Sequence, residues 1–476
     1  MLNKKLMRTA KILPLILIAS GVFTLLNMGC YFRPKAPATL RIIFTSDTQG
    51  MMTPCGCVGG PRGGLAKRAT VIAEARESAP GPVLVLDTGN FSSGFMSNTE
   101  ILKTQYIVEG MAAIGYDAVN VGRRDARRPR EGVSSYNSEN FPLTSAFFTY
   151  NDDDTGEQKY SYPTRIIREV GEFRIAIVGS TLDAFISPND LGYQNDPGST
   201  AEDLYNTLND ISVRDAAQMI LVISDLAVTW QSATIAAERY PQASIVIAGE
   251  AAPVEFRESK SGEQITHPIL IPRAVSWGRS VGVLDLELTE SGGISSYNLE
   301  YIDLNEDVED DPAMLEVVDA YLAAVDAQPQ DIPQVRQTGY LGSNACRDCH
   351  LYEYEDWEAS RHAGAWDTLE SVDRLNEATC IPCHTTGYAG ADQFPSRMVP
   401  HEYMSVGCEA CHGPGEIHVQ FQEWQIYGEL TGEVRGEDLV DPIVLTPPES
   451  TCLACHQPPY DEGWSYSTKM SRAAHE

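Results

Sequence analysis

The last 131 residues of the 476-residue chain carry four Cys-x-x-Cys-His motifs. They are Cys346-Arg-Asp-Cys349-His350, Cys380-Ile-Pro-Cys383-His384, Cys408-Glu-Ala-Cys411-His412 and Cys452-Leu-Ala-Cys455-His456. Between the motifs lie only short apolar segments of weak periodicity, in loops rich in Gly, Pro and Glu. A stretch so poor in apolar periodicity should not pack a core from its side chains alone. The region therefore needs another group to fill it.

The motif spacing suits covalent haem. Two thiols can form thioethers to the porphyrin vinyl groups, while the next residue places an imidazole on the iron. Four Cys-x-x-Cys knuckles could instead form two zinc ribbons, but a ribbon needs no His after each second Cys, and all four motifs have one. The sequence therefore predicts four c-type haems, with these proximal iron ligands: His350, His384, His412 and His456.

Four further histidines accompany the motifs, one after each: His362, His401, His418 and His475. A lone His usually has no ligand role. The chain has only one other His outside this region, so four spare imidazoles for four irons indicate distal ligands. We expect at least three of them to complete bis-His, six-coordinate haems of low potential. The pairing is open, because a distal His can serve a haem far along the chain.

Residues 38–305 have a different character, since short β-branched runs alternate with amphipathic segments. This alternation predicts an α+β domain in layers with a largely buried sheet. An acidic and helical linker follows over 306–340, in which Asp311 caps a helix that begins with Pro312. Residues 341–476 form the second domain, mostly irregular and helical.

The first thirty residues resemble a secretory signal, with four basic residues before an apolar stretch over 12–26. The stretch ends in Gly29-Cys30, a pattern similar to a lipoprotein cleavage site, where Cys30 would become the lipidated N-terminus. Ordinary cleavage and an uncleaved anchor helix are the alternatives. In each case we expect an exported protein, periplasmic or on an outer face, and with lipidation Cys30 would hold it to the membrane. The formal net charge of −31 argues against nucleic acid as a partner.

The segments "YLGSNACRDCHLYEYEDWEASRHAGAWDTL", "VGCEACHGPGEIHV" and "CLACHQ" resemble the tetrahaem cytochrome c family that accepts electrons from hydroxylamine oxidation in nitrifiers. The likeness covers about residues 340–476. It implies stacked, paired and mostly bis-His haems, with one haem five-coordinate in some members. On this chain it implies distal roles for His362 and His418.

Residues 41–290 resemble the metallophosphoesterase domain of the 5′-nucleotidase family, on "FTSDTQG", "GGLAKRATVI", "VLVLDTGN", "MAAIGYDAVNVGRRD", "VISDLA" and "VIAGE". The resemblance implies a layered αββα sandwich. The family's metal ligands are largely replaced. Asp47 survives, but other residues stand at the remaining ligand positions: Gln49, Asn90, Arg123, Arg124, Asp225, Glu250 and Ala252.

Charge argues against hydrolysis. A two-metal centre brings about +4 and needs anionic and imidazole ligands to activate water. Loss of the bridging carboxylate and gain of two guanidinium groups make such a centre untenable, and we expect Arg124 to pair with Asp47 instead. A single oxygen-ligated cation on Asp47, Asp225 and Glu250 is the alternative.

Two motifs of this region stay open. "GRRDARRPR" holds five arginines in nine residues, either a solvated loop that pairs with local carboxylates or an oxyanion pocket. Cys55 and Cys57 in "TPCGCVGG" are either inert thiols or a structural bridge, or a strained and reducible pair with a redox or sulfur-handling role.

These patterns predict an exported electron-transfer protein with four covalent haems, whose first domain is a pseudo-phosphoesterase that binds or docks. Its acidic surface favours redox partner proteins with a basic docking patch. The alternative is an oxidoreductase acting on a small nitrogen or sulfur oxyanion, at an open haem or at Cys55 and Cys57.

Overall fold

The computed structural model describes residues 35–54, 61–94, 98–181, 210, 217–225, 245–248, 255–256, 270–271, 276–327, 339–372, 374–375, 380–387, 399–427, 443–456, 461 and 464–473. Several residues singled out by the sequence lie outside these ranges: Cys30, Cys55, Cys57, Glu250, Ala252 and His475. In the described ranges, no helix is both long and apolar enough to cross a membrane.

The first of two six-stranded sheets has the strand order β14-β13-β1-β2-β3-β4. Its strands are β1 (Thr39–Thr45), β2 (Val83–Asp87), β3 (Ala118–Asn120), β4 (Leu143–Thr144), β13 (Ser280–Leu288) and β14 (Ile294–Asp303). β1 to β4 are parallel, whereas β13 pairs antiparallel with both β1 and β14. The carboxyl ends of β1, β2 and β3 therefore lie at one edge.

The second six-stranded sheet has the order β11-β12-β10-β9-β8-β7. Its strands are β7 (Ile166–Val170), β8 (Phe173–Ser180), β9 (Met219–Ser224), β10 (Ile245–Ala248), β11 (Glu255–Phe256) and β12 (Leu270–Ile271). A separate hairpin joins β5 (Thr149–Asn151) to β6 (Gln158–Tyr160). A core of aliphatic and aromatic side chains, among them Leu40, Phe44, Ile175 and Leu221, lies between the two large sheets. Strand alternation in sequence predicted β1, β2, β3, β8, β9, β10, β12 and β13, but not β4, β7, β11 or β14, and the outer residues of β14 are mostly polar.

Helices cover the other face of the first sheet. α1 (Leu65–Glu77) and α2 (Asn98–Ile114) pack there through Leu65, Ile72, Ile107 and Met111. A short α3 (Arg130–Ser134) follows the arginine-rich segment. Helix, sheet and sheet thus form successive layers, and the outer helical layer predicted beyond the second sheet falls outside the described residues.

The predicted helix after the acidic run is α4 (Pro312–Asp326), and the side chain of Asp311 caps it by accepting from the backbone N–H of Met314 at 2.9 Å. α4 buries Val318 and Tyr321 in the same core as α1 and α2. This part of the predicted 306–340 linker is therefore packed on the α/β region, because its apolar stripe covers the helices beneath it.

The C-terminal region is built from short helices. They are α5 (Leu351–Glu358), α6 (Ala365–Ser371), α7 (Ile381–His384), α8 (Cys408–His412), α9 (Glu416–Tyr427), α10 (Glu449–Leu453) and α11 (Tyr466–Ala473). A small cluster that includes Trp366, Leu369, Ile381 and Tyr403 joins α6 and α7. This cluster is far smaller than the cores of the first region, as the weak periodicity predicts.

Candidate functional site

The first candidate site lies at the carboxyl ends of the strands, where the sequence placed the altered metal ligands. Asp47 follows β1, Asn90 follows β2, Asn120 ends β3 and Asp225 follows β9. All four are at most 5% exposed. The fold therefore brings the predicted residues Asp47, Asn90 and Asp225 to one edge and keeps them from solvent.

The turns at this edge keep an unusual backbone. Asp47, Gln49 and Asn90 have φ of 49°, 49° and 59°, in the left-handed region that few residues other than Gly adopt. Gln49 donates from Nε2 to Asp47 Oδ2 at 2.9 Å. A Cβ on Gly122 would meet Asn90 Oδ1 at 2.3 Å, so that position requires glycine. The turn geometry of the pocket is thus retained while its ligands are changed.

The two arginines that follow β3 donate backbone hydrogen bonds to residues of this edge. Arg124 N–H donates to Asn90 Oδ1 at 2.8 Å, and Arg123 N–H donates to Asp225 Oδ2 at 2.9 Å. Asn90 and Asp225, which the sequence comparison predicted at altered metal-ligand positions, therefore accept hydrogen bonds from the arginine segment. The predicted ion pair between Asp47 and the Arg124 side chain stays a prediction.

Asp125 completes the edge, although the sequence did not single it out. It is fully buried, and its two oxygens accept from the backbone N–H groups of Asn90, Ser92 and Gly122 and from the Ser92 hydroxyl, at 2.8–2.9 Å. Burial raises its pKa to about 7 against these hydrogen bonds. Asp125 therefore ties the β2 and β3 turns together.

A two-metal centre does not fit these residues. Asp47, Asp125 and Asp225 each accept hydrogen bonds from the protein, and the Asn90 amide oxygen is occupied by Arg124 N–H. In the described ranges, no group of three or more His, Cys, Asp or Glu side chains could hold a metal ion. Asp47 Oδ2, Asp225 Oδ2 and Asn90 Oδ1 thus accept hydrogen bonds within the fold, whereas Asp225 Oδ1 is buried without a hydrogen-bond partner in the described residues.

The arginines of the segment "GRRDARRPR" make separate contacts. Arg128 is 4% exposed and donates to the backbone oxygen of Glu100 at 2.8 Å, and burial lowers its pKa. Arg130 lies over the Tyr150 ring at 4.0 Å and pairs with Glu131 at 3.6 Å. Arg130 therefore has a local carboxylate partner, as the solvated-loop alternative predicted, whereas Arg128 is buried and donates to a backbone oxygen.

Arg68 on α1 is a buried charge that the sequence analysis missed. It is 1% exposed, and its Nε and Nη1 atoms have no hydrogen-bond partner in the described part of the chain. Burial raises the pKa of Asp87 and of Tyr116, and the nearby Arg68 guanidinium offsets part of both shifts. Its burial could have been predicted from its position, because Arg68 lies three residues after Leu65 on the apolar stripe of α1.

The buried carboxyl group of Asp225 makes the free energy of unfolding depend on pH. Burial raises its pKa to about 7, helped by Asp125 and Asp47 and opposed by Arg123. The pKa of Asp225 is therefore higher in the folded than in the unfolded protein. Its contribution to the free energy of unfolding is complete below about pH 4 and is lost as the pH rises to about 7. The slope of this loss is at most about 1.4 kcal/mol per pH unit. We expect Asp225→Asn to unfold with a shallower pH dependence than the native protein, measured by urea denaturation at pH 5 and pH 7.

The neighbouring Asp125 is the internal reference for this experiment, since its pKa is also raised to about 7 and it is unchanged in the variant. The slope should therefore fall by at most about 1.4 kcal/mol per pH unit and not vanish, because Asp125 and Asp87, whose pKa values burial also raises, still titrate. An identical pH dependence in Asp225→Asn and the native protein would contradict the assignment.

The second candidate site comprises the four Cys-x-x-Cys-His motifs. Each begins at or near a helical turn, and backbone bonds from His350 N to Cys346 O at 2.9 Å and from His456 N to Cys452 O at 2.8 Å close two of these turns. Residues three and four apart lie on the same face of such a turn. Both thiols and the imidazole of a motif can therefore face one haem.

Three of the predicted proximal histidines have an oriented ring. His384 Nδ1 contacts Ala365 O at 2.5 Å, His412 Nδ1 contacts Val444 O at 2.7 Å, and His456 Nδ1 contacts Asp461 Oδ2 at 2.7 Å. An acceptor at Nδ1 holds the proton on that nitrogen and leaves Nε2 with a lone pair for iron. Nε2 of each of these three rings is therefore available to bind iron.

Two predicted distal histidines each face a proximal one. The ring centroids of His350 and His418 are 6.2 Å apart, and those of His362 and His456 are 6.1 Å apart. Iron between two imidazoles, with bonds of about 2 Å, separates ring centroids by about 6 Å. Burial and the nearby His456 lower the pKa of His362, which favours the neutral ring that iron binding requires. Both pairs therefore fit a bis-His iron.

The motifs also meet through their thiols. Cys346 donates a hydrogen bond to Cys408, which raises the pKa of Cys346 and lowers that of Cys408 to about 6. A hydrogen bond from Cys383 lowers the pKa of Cys455. The first motif thus lies beside the third, and the second beside the fourth.

Glu409, inside the third motif, has a structural role that the sequence did not indicate. It is 3% exposed, and its carboxylate accepts from the backbone N–H groups of Leu341, Gly342 and Gly415 at 2.7–3.0 Å. It joins the start of the region to the loop after His412. The remaining predicted distal ligand in the described ranges, His401, is exposed at the start of a 3-10 turn (His401–Tyr403).

Comparison with known proteins bears on both sites. The family model "Cytochrome c554 and c-prime" matches residues 345–413. Cytochrome c-554 of Nitrosomonas europaea is 26% identical over 91 residues, which are 16% of this chain and 39% of that protein. Bovine 5′-nucleotidase is 23% identical over 314 residues, which are 60% of this chain and 53% of that protein. The chain joins a 5′-nucleotidase-like region to a cytochrome c554-like region.

Solved structures support the first half of this description. The NAD nucleotidase of Haemophilus influenzae aligns with 64% of this chain and 64% of its own length, at 14% identity and a TM-score of 0.50. This likeness shows the fold alone, an α/β metallophosphoesterase-like fold. The chain spans about half the length of the bovine 5′-nucleotidase that it matches. The predicted resemblances are both confirmed, and the cytochrome match supports c-type haem iron as the cofactor.

Proposed function

We propose that the protein transfers electrons through four covalently bound c-type haems, one on each Cys-x-x-Cys-His motif. The observation that carries this proposal is the separation of about 6 Å within two histidine pairs, His350 with His418 and His362 with His456. Both pairs match the spacing of a bis-His iron, and such haems serve electron transfer because no coordination position is open to substrate.

The contacts between motifs support a defined order of haems. Cys346 lies against Cys408, and Cys383 against Cys455. Haems attached there would form two close pairs, of motifs one and three and of motifs two and four. Electrons would pass within each pair, and the chain's task is to keep the haems close, set their potentials and exclude water.

The first domain, in this proposal, is a pseudo-phosphoesterase that serves as a binding or docking platform. Its carboxylates accept hydrogen bonds within the protein where metal ligands would be needed. The protein would act outside the cytoplasm, with Cys30 lipidated as its membrane anchor. The net charge of −31 favours a basic redox partner and an association that weakens with salt.

A second function is favoured by one observation. The ring of His384 contacts no second imidazole in the described ranges, although its Nδ1 is already oriented by Ala365 O. A five-coordinate haem on the second motif would have a free position for a small nitrogen or sulfur oxyanion. In that case the protein would be a haem oxidoreductase, and nitrite or sulfite should shift its spectrum.

A haem count with electron paramagnetic resonance tests the proposal. We expect the exported protein to carry four haems per chain by pyridine haemochromogen assay, to contain iron and not zinc, and to show mainly low-spin ferric signals. Added manganese should produce no hydrolysis of a nucleotide or aryl phosphate. Fewer haems than motifs, or zinc in the motifs, would overturn electron transfer by four haems. A high-spin signal that responds to nitrite or sulfite would favour the second function.

A further inference from the structure

The imidazole of His456 in the fourth motif is held from two sides. Asp461 Oδ2 lies 2.7 Å from its Nδ1. The indole of Trp464 is stacked on the ring, with centroids 5.0 Å apart and planes inclined by 14°. One contact fixes the proton on Nδ1 and the other fixes the plane of the ring. Because Asp461 occupies Nδ1 and Trp464 covers a face of the ring, Nε2 keeps its lone pair for iron, and the ring of His362 lies 6.1 Å from that of His456 between centroids.

The acceptor at this histidine differs in charge from those at the other motifs. His384 and His412 meet the neutral backbone oxygens of Ala365 and Val444. Among the proximal imidazoles whose Nδ1 acceptor the structure describes, His456 alone meets a carboxylate. A charged acceptor forms the stronger hydrogen bond.

We propose that Asp461 is a positioning residue that lowers the reduction potential of the haem on the fourth motif below the potentials set by carbonyl acceptors. The inference rests on the proposed attachment of haem at Cys452 and Cys455. A carboxylate draws the Nδ1 proton towards itself, and the imidazole becomes a more basic ligand. A more electron-rich iron is easier to keep ferric. The negative charge of Asp461 also favours the ferric state, so both effects have the same sign.

The experiment compares Asp461→Asn with a matched control, Glu449→Gln, in the haem-loaded protein. Glu449 is exposed at the start of α10 and close enough to raise the pKa of Cys452, but it does not contact His456. Both changes remove one negative charge near the fourth motif. We expect Asp461→Asn to shift one midpoint potential upward, several-fold more than Glu449→Gln does, in a redox titration followed by electron paramagnetic resonance. The other three potentials should stay in place.

The shifted signal is assigned by its loss in Cys452→Ala/Cys455→Ala, which cannot attach this haem. Asp461→Glu, which keeps a carboxylate, should retain the low potential. An Asn variant with four haems and an unchanged fourth potential would overturn the inference and leave the proposed function standing. Loss of the haem in both the Asn and Glu variants would also overturn it, because Asp461 would then serve assembly alone. A native protein with fewer than four haems would instead refute the proposed function.

Discussion

Replacing His418 with alanine is expected to convert one haem in four from low spin to high spin. The ring of His418 faces His350 at a centroid separation of 6.2 Å, so the substitution removes the sixth ligand of the iron on the first motif. Thioether attachment through Cys346 and Cys349 is untouched, and the haem count should stay at four. Electron paramagnetic resonance of the oxidised protein should show about a quarter of the iron as a new high-spin signal.

The control for this experiment is Gln420→Ala, a truncation of a part-buried polar residue on the same helix α9. It should leave the spin state unchanged. His418→Met should restore a six-coordinate iron, with a raised potential because a thioether replaces an imidazole. If His418→Ala remains wholly low spin, the iron on the first motif takes its distal ligand from elsewhere and the His350–His418 pairing is wrong.

Replacing Lys103 with methionine should destabilise the first domain by about 3–5 kcal/mol. Lys103 Nζ lies 2.6 Å from Glu100 Oε1, and both side chains are 1% exposed. The substitution leaves a buried carboxylate without its ammonium partner. Glu100 Oε2 also accepts from the Ser93 hydroxyl at 2.5 Å and lies beside Gly50, so the cost should extend to the turn that carries Asp47.

Urea denaturation measures this loss, and a surface pair supplies the control. Lys159 pairs with Asp152 at 2.5 Å but its side chain is 44% exposed, so Lys159→Met should cost much less stability than Lys103→Met does. Glu100→Gln/Lys103→Met, which removes both charges, should regain most of the stability lost by Lys103→Met. A cost for Lys103→Met no greater than that for Lys159→Met would show that the buried pair is not essential to the fold.

Much of the first domain followed from sequence patterns. The alternation of strands and helices predicted β1, β2, β8, β9 and β13, because a buried strand needs a run of β-branched residues. It did not reveal that α4 belongs to the same core, because the acidic run before it is typical of a linker. Nor did it reveal the role of Asp125, whose four hydrogen bonds come from the two turns that follow β2 and β3.

The loss of metal ligands was also visible in the sequence, whereas its structural consequence was not. Gln49 and Asn90 stand where ligands are expected, and together with the replacements at Arg123, Arg124 and Asp225 they argued against a two-metal centre. The structure adds that Gln49 bonds to Asp47 and that the arginine segment bonds to Asn90 through Arg124 N–H. Backbone donors of this kind have no sequence signature, since every residue but proline carries one.

The sequence by itself predicted where haem would attach, because thioether bonds and the proximal imidazole require residues at i, i+3 and i+4 of a single turn. It also determined that the spare histidines accompany the motifs. Only the tertiary structure decided which of them face each other. His418 lies 68 residues from His350 and His456 lies 94 residues from His362, so each pair forms only when distant segments pack together. Asp461 is close to His456 in sequence, but only the structure shows that its carboxylate oxygen lies 2.7 Å from His456 Nδ1.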